Sequence, residues 1–251
     1  MNKINIKDYP YKYETHMHTS QGSACGNNTG AEMARAYFQA GYTGIIVTDH
    51  HYGGNTAPDR SLAWDKWVDE FYSGYEDAKR EGEKIGLQVF SGWESGFSAT
   101  EFLVYGTTKE WMKQHPKLKN CTVKEQYELV KAAGCMMIHA HPFRMRNYIK
   151  EVRLFPECVD GVEAVNAVHS NPVRNEQPEA NDKAFSYARE HSFPVTAGSD
   201  QHNTNLIGGG MCFKRKLSSV EDFISAVLNK EDYLITDGYN YYQSNNFNIL
   251  V

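Results

Sequence analysis

The sequence of 251 residues contains no long apolar run, no block of basic residues and no predominance of one charge. Without an apolar stretch of about 20 residues, a membrane-spanning helix is not expected. The segment from Met1 to Tyr11 is polar, so a secretory signal peptide is not expected either. A formal net charge of −5 argues against binding of nucleic acid over the whole surface. We therefore expect neither a membrane nor a nucleic acid as partner.

The five cysteines stand at positions 25, 121, 135, 158 and 212, and no two of them form a Cys-x-x-Cys pair. An odd number of cysteines without such pairs argues against a disulfide framework and predicts a protein of the reducing cytoplasm. Hydrophobic residues make up 41% and charged residues 23% of the chain, which is typical of a folded globular protein. The length suits a single α/β barrel domain.

Short apolar runs alternate with amphipathic segments along most of the chain. Ser or Thr followed three residues later by Glu predicts helices that begin after Thr29, Thr122 and Ser218. The aromatic-rich segment 62–81 predicts one long helix whose rings pack on the core. About six or seven strand–helix repeats predict a parallel sheet. Because no linker or repeat interrupts this pattern, we predict a single domain over residues 1–251.

Polar side chains able to perform chemistry follow nearly every predicted strand. In a β/α barrel, the loops after the strands gather at one face and form the active site. A doubly wound open sheet would instead collect its functional groups at one switch point. The distribution along this chain favours a TIM-like barrel over the open sheet.

Seven of the ten histidines lie at or just after predicted strand ends. They are His16, His18, His50, His51, His141, His169 and His202. His16 and His18 are two apart in a predicted strand and therefore share one face. Carboxylates at Glu94 and Asp200 also follow strands, and this mixture of ligands suits Zn²⁺, Mn²⁺ or Fe²⁺. Since one mononuclear site needs only three or four ligands, the set predicts two or three divalent metals.

The order of these motifs resembles the PHP family, named after polymerases and histidinol phosphatase. The motifs are His16-x-His18, Thr48-Asp49-His50, Gly92-Trp93-Glu94, Ala140-His141-Pro142, His169 after Glu163-Ala164-Val165-Asn166, and Gly198-Ser199-Asp200-Gln201-His202. The resemblance covers about residues 12 to 237. It implies a distorted barrel with seven strands and alternating helices, a (β/α)7 fold, and a cluster of up to three metals.

The resemblance also implies how the ligands divide among the metals. One metal would be held by His16, His18, Glu94 and Asp200. Glu94 would bridge to a second metal, which His141 and His169 complete. His50 and His202 would belong to a third metal, for which relatives often add a His or Asp from the loop after His-x-His. Here that loop offers only Cys25, which would be either a thiolate ligand that favours zinc or a small hydrophobic residue.

Other residues near these motifs have open assignments. His139 competes with His141 as a ligand, since both point the same way from one predicted strand, and the motif favours His141. Asp49 is interpreted as a residue that orients a ligand. Arg144 and Arg174 follow predicted ligands, and their guanidinium groups suit a phosphate. If the leaving oxygen needs an acid, His202 or His51 would supply the proton.

The resulting hypothesis is a metal-dependent phosphatase similar to histidinol phosphatases. A metal-bound hydroxide would attack a small phosphomonoester, with histidinol phosphate as one candidate and nucleoside phosphates or phosphotyrosine peptides as others. The alternatives are a metal-binding PHP module without activity and a metal-dependent nuclease. A metal-dependent hydrolase of carbon–nitrogen bonds is a further alternative, although its frequent strand-end lysine is absent. The loops 53–60, 142–155 and 203–210 would form the pocket walls, with Gly208 to Gly210 close to the ligand.

Overall fold

The computed structural model describes residues 4–170, 177–205, 207–247 and 249–250. The strands are β1 (Tyr11–Met17), β2 (Gly44–Val47), β3 (Gln88–Phe97), β4 (Thr100–Tyr105), β5 (Met136–Ala140), β6 (Gly161–Asn166), β7 (Val195–Gly198), β8 (Gly210–Phe213), β9 (Tyr233–Thr236), β10 (Tyr241–Gln243) and β11 (Ile249–Leu250). The α-helices are α1 (Gly30–Gln39), α2 (Trp64–Phe71), α3 (Ser73–Ile85), α4 (Lys109–Lys113), α5 (Val123–Ala132), α6 (Ala167–Ser170), α7 (Pro178–His191) and α8 (Val220–Leu228).

These strands form one sheet in the order β11-β10-β9-β8-β1-β2-β3-β4-β5-β6-β7. β1, β2 and β3 are parallel to one another, and so are β5, β6 and β7. β4 lies antiparallel between β3 and β5, and β8 pairs antiparallel with β1. The sheet curls until the ends of β1 and β7 meet, where the His18 backbone N–H donates to the Gln201 carbonyl at 2.8 Å.

The predicted α/β class is confirmed, whereas the regular (β/α)7 barrel is not. β4 is the hairpin partner of β3 and not a parallel barrel strand, since the turn between them is too short for a crossover. β8 to β11 extend the sheet beyond β1 as antiparallel strands. The single domain stays a prediction.

Helices cover the sheet with apolar faces, as the sequence pattern predicts. The aromatic residues of 62–81 do pack into a core, in which Trp67 and Phe71 lie with Trp93 and Phe102. The segment forms two helices and not one, because the chain bends at Tyr72 between α2 and α3. Among the described residues, no helix has the length and apolar character needed to cross a membrane.

Two of the three predicted helix starts are confirmed in full. Thr29 with Glu32 and Thr122 with Glu125 form reciprocal capping boxes at α1 and α5. The third prediction is wrong by one residue, because Ser219 caps α8 by accepting from the Asp222 N–H.

Candidate metal centre

Four predicted ligands of the first metal converge where the ends of β1, β3 and β7 meet. The imidazole Nε2 atoms of His16 and His18 lie 3.3 Å apart. His16 Nε2 is 3.4 Å from Glu94 Oε1, and His18 Nε2 is 3.1 Å from Asp200 Oδ1. His16, His18 and Glu94 are completely buried. His16, His18 and Glu94 thus form a compact group of three potential ligands, with Asp200 beside the two histidines.

His141 approaches the same carboxylates from the end of β5. Its Nε2 lies 3.0 Å from Glu94 Oε1 and 3.8 Å from Asp200 Oδ2. His141 and Asp200 both adopt left-handed backbone conformations, with φ of 26° and 51°. Such conformations cost free energy for residues with a Cβ, and they are concentrated at functional sites. The backbone turn that ends each strand thereby aims the side chain into the cluster.

A third group of potential ligands, His50 and His202, lies beside His18. The His18 ring stacks on both of their rings, with centroid separations of 4.3 and 4.4 Å. His50 Nδ1 also lies 2.8 Å from Glu94 Oε2. The Cys25 thiol also lies beside His50 and His202, and its role as a ligand stays a prediction. Burial raises the pKa of its thiol, but hydrogen bonds with His202 and His50 outweigh burial and lower the pKa to about 6.

His169 lies at the edge of the cluster. It sits on the short helix α6, and its ring centroid is 6.3 Å from that of His141. Burial lowers its pKa to about 3, so the imidazole is neutral and able to bind a metal. Its ligand atom belongs to none of the tight three-donor groups found among the described residues.

The donor set could hold divalent metal ions. Within the described ranges, four groups of three donors have ligand atoms that all lie within 4.8 Å of one another. They are His16–His18–Glu94, His16–His141–Asp200, His18–His50–His202 and His50–Glu94–Glu101. His50 Nδ1 and Glu94 Oε2 are buried and face each other, yet neither forms a well-aligned hydrogen bond in the described residues. Buried donors without hydrogen bonds are what a metal ion would satisfy.

Electrostatics keep both central carboxylates ionised. Burial raises the pKa of Glu94, but His16 and His50 outweigh it and hold the pKa well below its usual range. Burial likewise raises the pKa of Asp200, and His16 and a hydrogen bond from His18 bring it well below its usual range. Both groups are therefore acceptor-only oxygen ligands at neutral pH.

A second layer of polar side chains orients the candidate ligands. The Glu163 carboxylate lies 2.8 Å from His16 Nδ1 and accepts the His141 backbone N–H at 3.0 Å. On the other side, Ser23 Oγ donates to Asp49 and accepts the His50 backbone N–H at 2.9 Å. Asp49 therefore has the position predicted for it. The role of Glu163 was missed, although it stands in the motif that precedes His169.

Glu101 is a further residue that the sequence analysis missed. It is the second residue of β4 and lies directly opposite Ala140, at the end of β5. Its Oε2 lies 3.7 Å from His141 Nε2 and accepts a hydrogen bond from the Arg144 guanidinium. The pairing of β4 with β5 places Glu101 next to His141, and no local pattern in the sequence indicates that pairing.

Of the residues considered for the site, His51 and His139 lie away from the cluster. His51 packs among Trp64, Trp67, Phe71 and Trp93, and burial lowers its pKa to about 3. The structure thus places it in the aromatic core instead of beside a leaving group. His139 stacks on Phe102 at 4.9 Å, which agrees with the preference for His141. Arg174 lies outside the described residues. Gly209 and Gly210 pack against Ala167 and Tyr13, so close packing explains them without a ligand.

Comparison with known proteins adds to this geometry. The family model PHP_C, described as PHP-associated, matches residues 178–231. A two-domain protein from Bacteroides vulgatus, which contains a predicted PHP-like metal-dependent phosphoesterase, shares the fold with a TM-score of 0.67. Its identity is 15%, over 94% of this chain and 67% of that chain. The resemblance to the PHP domain family is confirmed.

Two further solved structures share the fold of this chain. A proposed metal-dependent phosphoesterase from Bifidobacterium adolescentis has a TM-score of 0.55 and 16% identity, over 87% of this chain and 96% of that chain. Endonuclease Q, in complex with a 27-mer duplex with an abasic lesion at its active site, has a TM-score of 0.60 and 14% identity. That alignment covers 89% of this chain but only 57% of endonuclease Q. No curated protein matches the sequence significantly. At these identities the comparisons show the fold.

Proposed function

We propose that this chain is a metal-dependent phosphatase that hydrolyses a small phosphomonoester. The observation that carries the proposal is the sharing of donors. Four residues each belong to two of the three-donor groups: His16, His18, His50 and Glu94. Shared donors place metals next to one another, and paired metals about 3.5–4 Å apart are typical of phosphoester hydrolysis. Bound divalent metals would supply a nucleophile from water and neutralise charge on the phosphate.

The chain's own residues would hold and orient this centre. His16, His18, Glu94 and Asp200 would bind one metal, and Glu94 would be shared with the metal at His141 and His169. His50, His202 and Cys25 would hold a third. We retain zinc, manganese and iron as candidates, since imidazole and carboxylate ligands suit all of them and a thiolate favours zinc.

Arg144 would bind the phosphate. Its guanidinium follows His141 by three residues and pairs with Glu101 at the edge of the cluster. Burial lowers the pKa of Arg144, but Glu101, Asp200 and Glu94 outweigh burial and raise it. Its Nε atom is buried and has no hydrogen-bond partner among the described residues, so a donor remains for a phosphate oxygen. If no third metal binds there, His202, whose side chain is 24% exposed, would be the candidate to donate a proton to the leaving oxygen.

A nuclease is the second candidate, favoured by the fold shared with endonuclease Q. The prediction that nucleic acid is not a partner rests on net charge alone and gains no support from that comparison. Among the described residues, four aromatic or aliphatic side chains are exposed near basic residues on the loop after His141. DNA therefore belongs in the substrate panel.

Metal analysis and turnover together test the proposal. We expect two or three equivalents of Zn, Mn or Fe by elemental analysis, and hydrolysis of p-nitrophenyl phosphate that a chelator abolishes. His141→Ala should lose activity, whereas the exposed His191→Ala should not. Less than one equivalent of metal, with no activity after metal is added, would overturn the metal centre. Faster cleavage of a duplex with an abasic lesion than of the phosphomonoester would favour the nuclease.

A further inference from the structure

Two adjoining pockets lie beside the candidate metal centre. The narrow inner pocket is lined by Glu101, His141 and Arg144. Ala99, Ile149, Glu151 and Arg153 line both this part and an outer cavity of about 450 Å³, to which Tyr148 and Lys150 also contribute. Tyr148, in the same loop as Arg144, lines the outer cavity, and Arg144 lines the inner pocket. A phosphate held by Arg144 would thus place its leaving group in the outer cavity.

Hydrogen bonds fix the loop that forms one wall of this cavity. The Arg153 guanidinium donates to the carbonyls of Phe97 and Ser98 at the turn between β3 and β4. Gln177 holds the backbone of Met145 from α7, accepting its N–H at 2.7 Å and donating to its carbonyl. Ile149 closes a turn by donating to the Arg146 carbonyl at 2.8 Å. The cavity is therefore largely preformed, which is typical of small-molecule sites.

The same loop carries an unusual share of exposed apolar side chains. Of the eight large hydrophobic residues that are exposed in the described residues, four lie between 145 and 154. They are Met145, Tyr148, Val152 and Leu154. Tyr148 is 66% exposed, while its neighbour Ile149 is 9% exposed. Exposed apolar groups concentrated beside a cavity mark a binding surface.

We propose that this cavity binds the leaving group of the substrate and selects phosphomonoesters with an aromatic or heteroaromatic ring. Tyr148 would stack on the ring, and Ile149 and Ala99 would contact its edge. A flexible polar leaving group such as glycerol would gain little from these contacts, because its hydroxyls would replace water against apolar atoms. A rigid ring loses little conformational freedom on binding and stacks favourably on tyrosine. This inference rests on the proposed phosphatase function.

The test measures kcat/KM of the metal-loaded wild type, Tyr148→Ala and Tyr148→Phe on phenyl phosphate and methyl phosphate. Each variant is compared with wild type on the same substrate, which removes the difference in leaving-group reactivity. We expect Tyr148→Ala to lower kcat/KM on phenyl phosphate about tenfold, mainly through KM, as expected for loss of one stacking contact. On methyl phosphate, kcat/KM of Tyr148→Ala should fall less than about twofold. Tyr148→Phe should retain the wild-type kcat/KM on both substrates.

Phe38→Ala, at an exposed aromatic residue of α1, is the matched control and should leave kcat/KM unchanged on both substrates. An equal loss on both substrates, or no loss on phenyl phosphate, would overturn the proposed ring subsite. If wild type hydrolyses neither ester, the proposed function fails, and calorimetry with phenylphosphonate and methylphosphonate tests the subsite alone. Tighter binding of phenylphosphonate that Tyr148→Ala removes would support the subsite, and equal binding of the two phosphonates would overturn it.

Discussion

The Glu163 carboxylate lies 2.8 Å from Nδ1 of His16. A carboxylate on one imidazole nitrogen fixes the tautomer and leaves the other nitrogen free to bind a metal. His16 Nε2 accordingly faces Glu94 and Asp200, at 3.4 and 3.6 Å. Because Glu163 also accepts the His141 backbone N–H, a single buried side chain orients two candidate ligands.

Glu163→Gln is expected to weaken metal binding. The amide would offer either a neutral acceptor or a competing donor to His16 Nδ1, so the imidazole would be held less firmly. Loss of such a partner typically costs about 10–100-fold in metal affinity or activity. Competition with a zinc-binding dye measures the affinity. Glu157→Gln, on the exposed surface, is the control, and equal affinities in the two variants would contradict the role of Glu163.

Cys25→Ala should lower the metal content by about one equivalent if the thiol belongs to a third site. Cys25→Asp should restore that equivalent, since a carboxylate is an alternative ligand. Elemental analysis of both variants gives the answer. Cys158→Ala, at a partly exposed cysteine, serves as the matched control. Unchanged metal content in Cys25→Ala would show that Cys25 is not a ligand.

Arg144 and Glu101 should behave as one unit in kinetics. Arg144→Ala is expected to raise KM for a phosphomonoester about 10- to 100-fold, because a charge-assisted phosphate contact is lost. Glu101→Ala should raise KM less, by freeing the guanidinium from its partner. The double variant should be no worse than Arg144→Ala alone, which is the non-additivity expected of coupled residues. If the two substitutions raise KM additively, the residues are not coupled. A fall in metal content with Glu101→Ala would instead indicate that Glu101 is a metal ligand.

Gly198→Ala is expected to disrupt the cluster. A Cβ at this position would lie 2.3 Å from the Cβ of His16 and 3.0 Å from Glu163 Oε1. Since neither packed neighbour can yield easily, the variant should lose metal and unfold at a lower temperature. Gly208→Ala provides a control, because its nearest contact would be an ordinary 3.4 Å. Elemental analysis and thermal unfolding of both variants test this; wild-type behaviour of Gly198→Ala would contradict it.

His139 should make the metal-free protein sensitive to acid. Burial lowers its pKa from 6.5 to about 3, so the unfolded state binds the proton more readily. His139 therefore leaves the free energy of unfolding undiminished above pH 6.5 and lowers it progressively as the pH falls towards 3. At pH 5 the expected loss from this group is about 2 kcal/mol.

His139→Phe tests this effect, since a phenyl ring keeps the stacking on Phe102 but cannot titrate. Urea unfolding at pH 7.5 and pH 5, with chelator present for both proteins, isolates the contribution of His139. Wild type should lose more stability than the variant between the two pH values. An identical pH dependence in the two proteins would contradict a neutral buried histidine.

Local sequence patterns were sufficient wherever neighbours along the chain decide the structure. The capping boxes at Thr29 and Thr122 formed as predicted, because each is closed within four residues. His16 and His18 share one face for the same reason, as β1 is extended. The break at Tyr72 between α2 and α3 carried no such local signal, since neither proline nor an exposed glycine marks it.

The sequence by itself determined which chemical groups follow the strands, and hence most of the candidate metal ligands and the resemblance to the PHP family. Only the tertiary structure decided which of those groups meet. His51 follows His50 directly in the sequence, yet its ring packs on Trp67 in an aromatic core, because burial of these apolar surfaces stabilises the fold. Glu101 and Glu163 join the centre because the pairing of β3, β4, β5 and β6 brings them there. Strand pairing depends on contacts between distant segments, which no local pattern specifies.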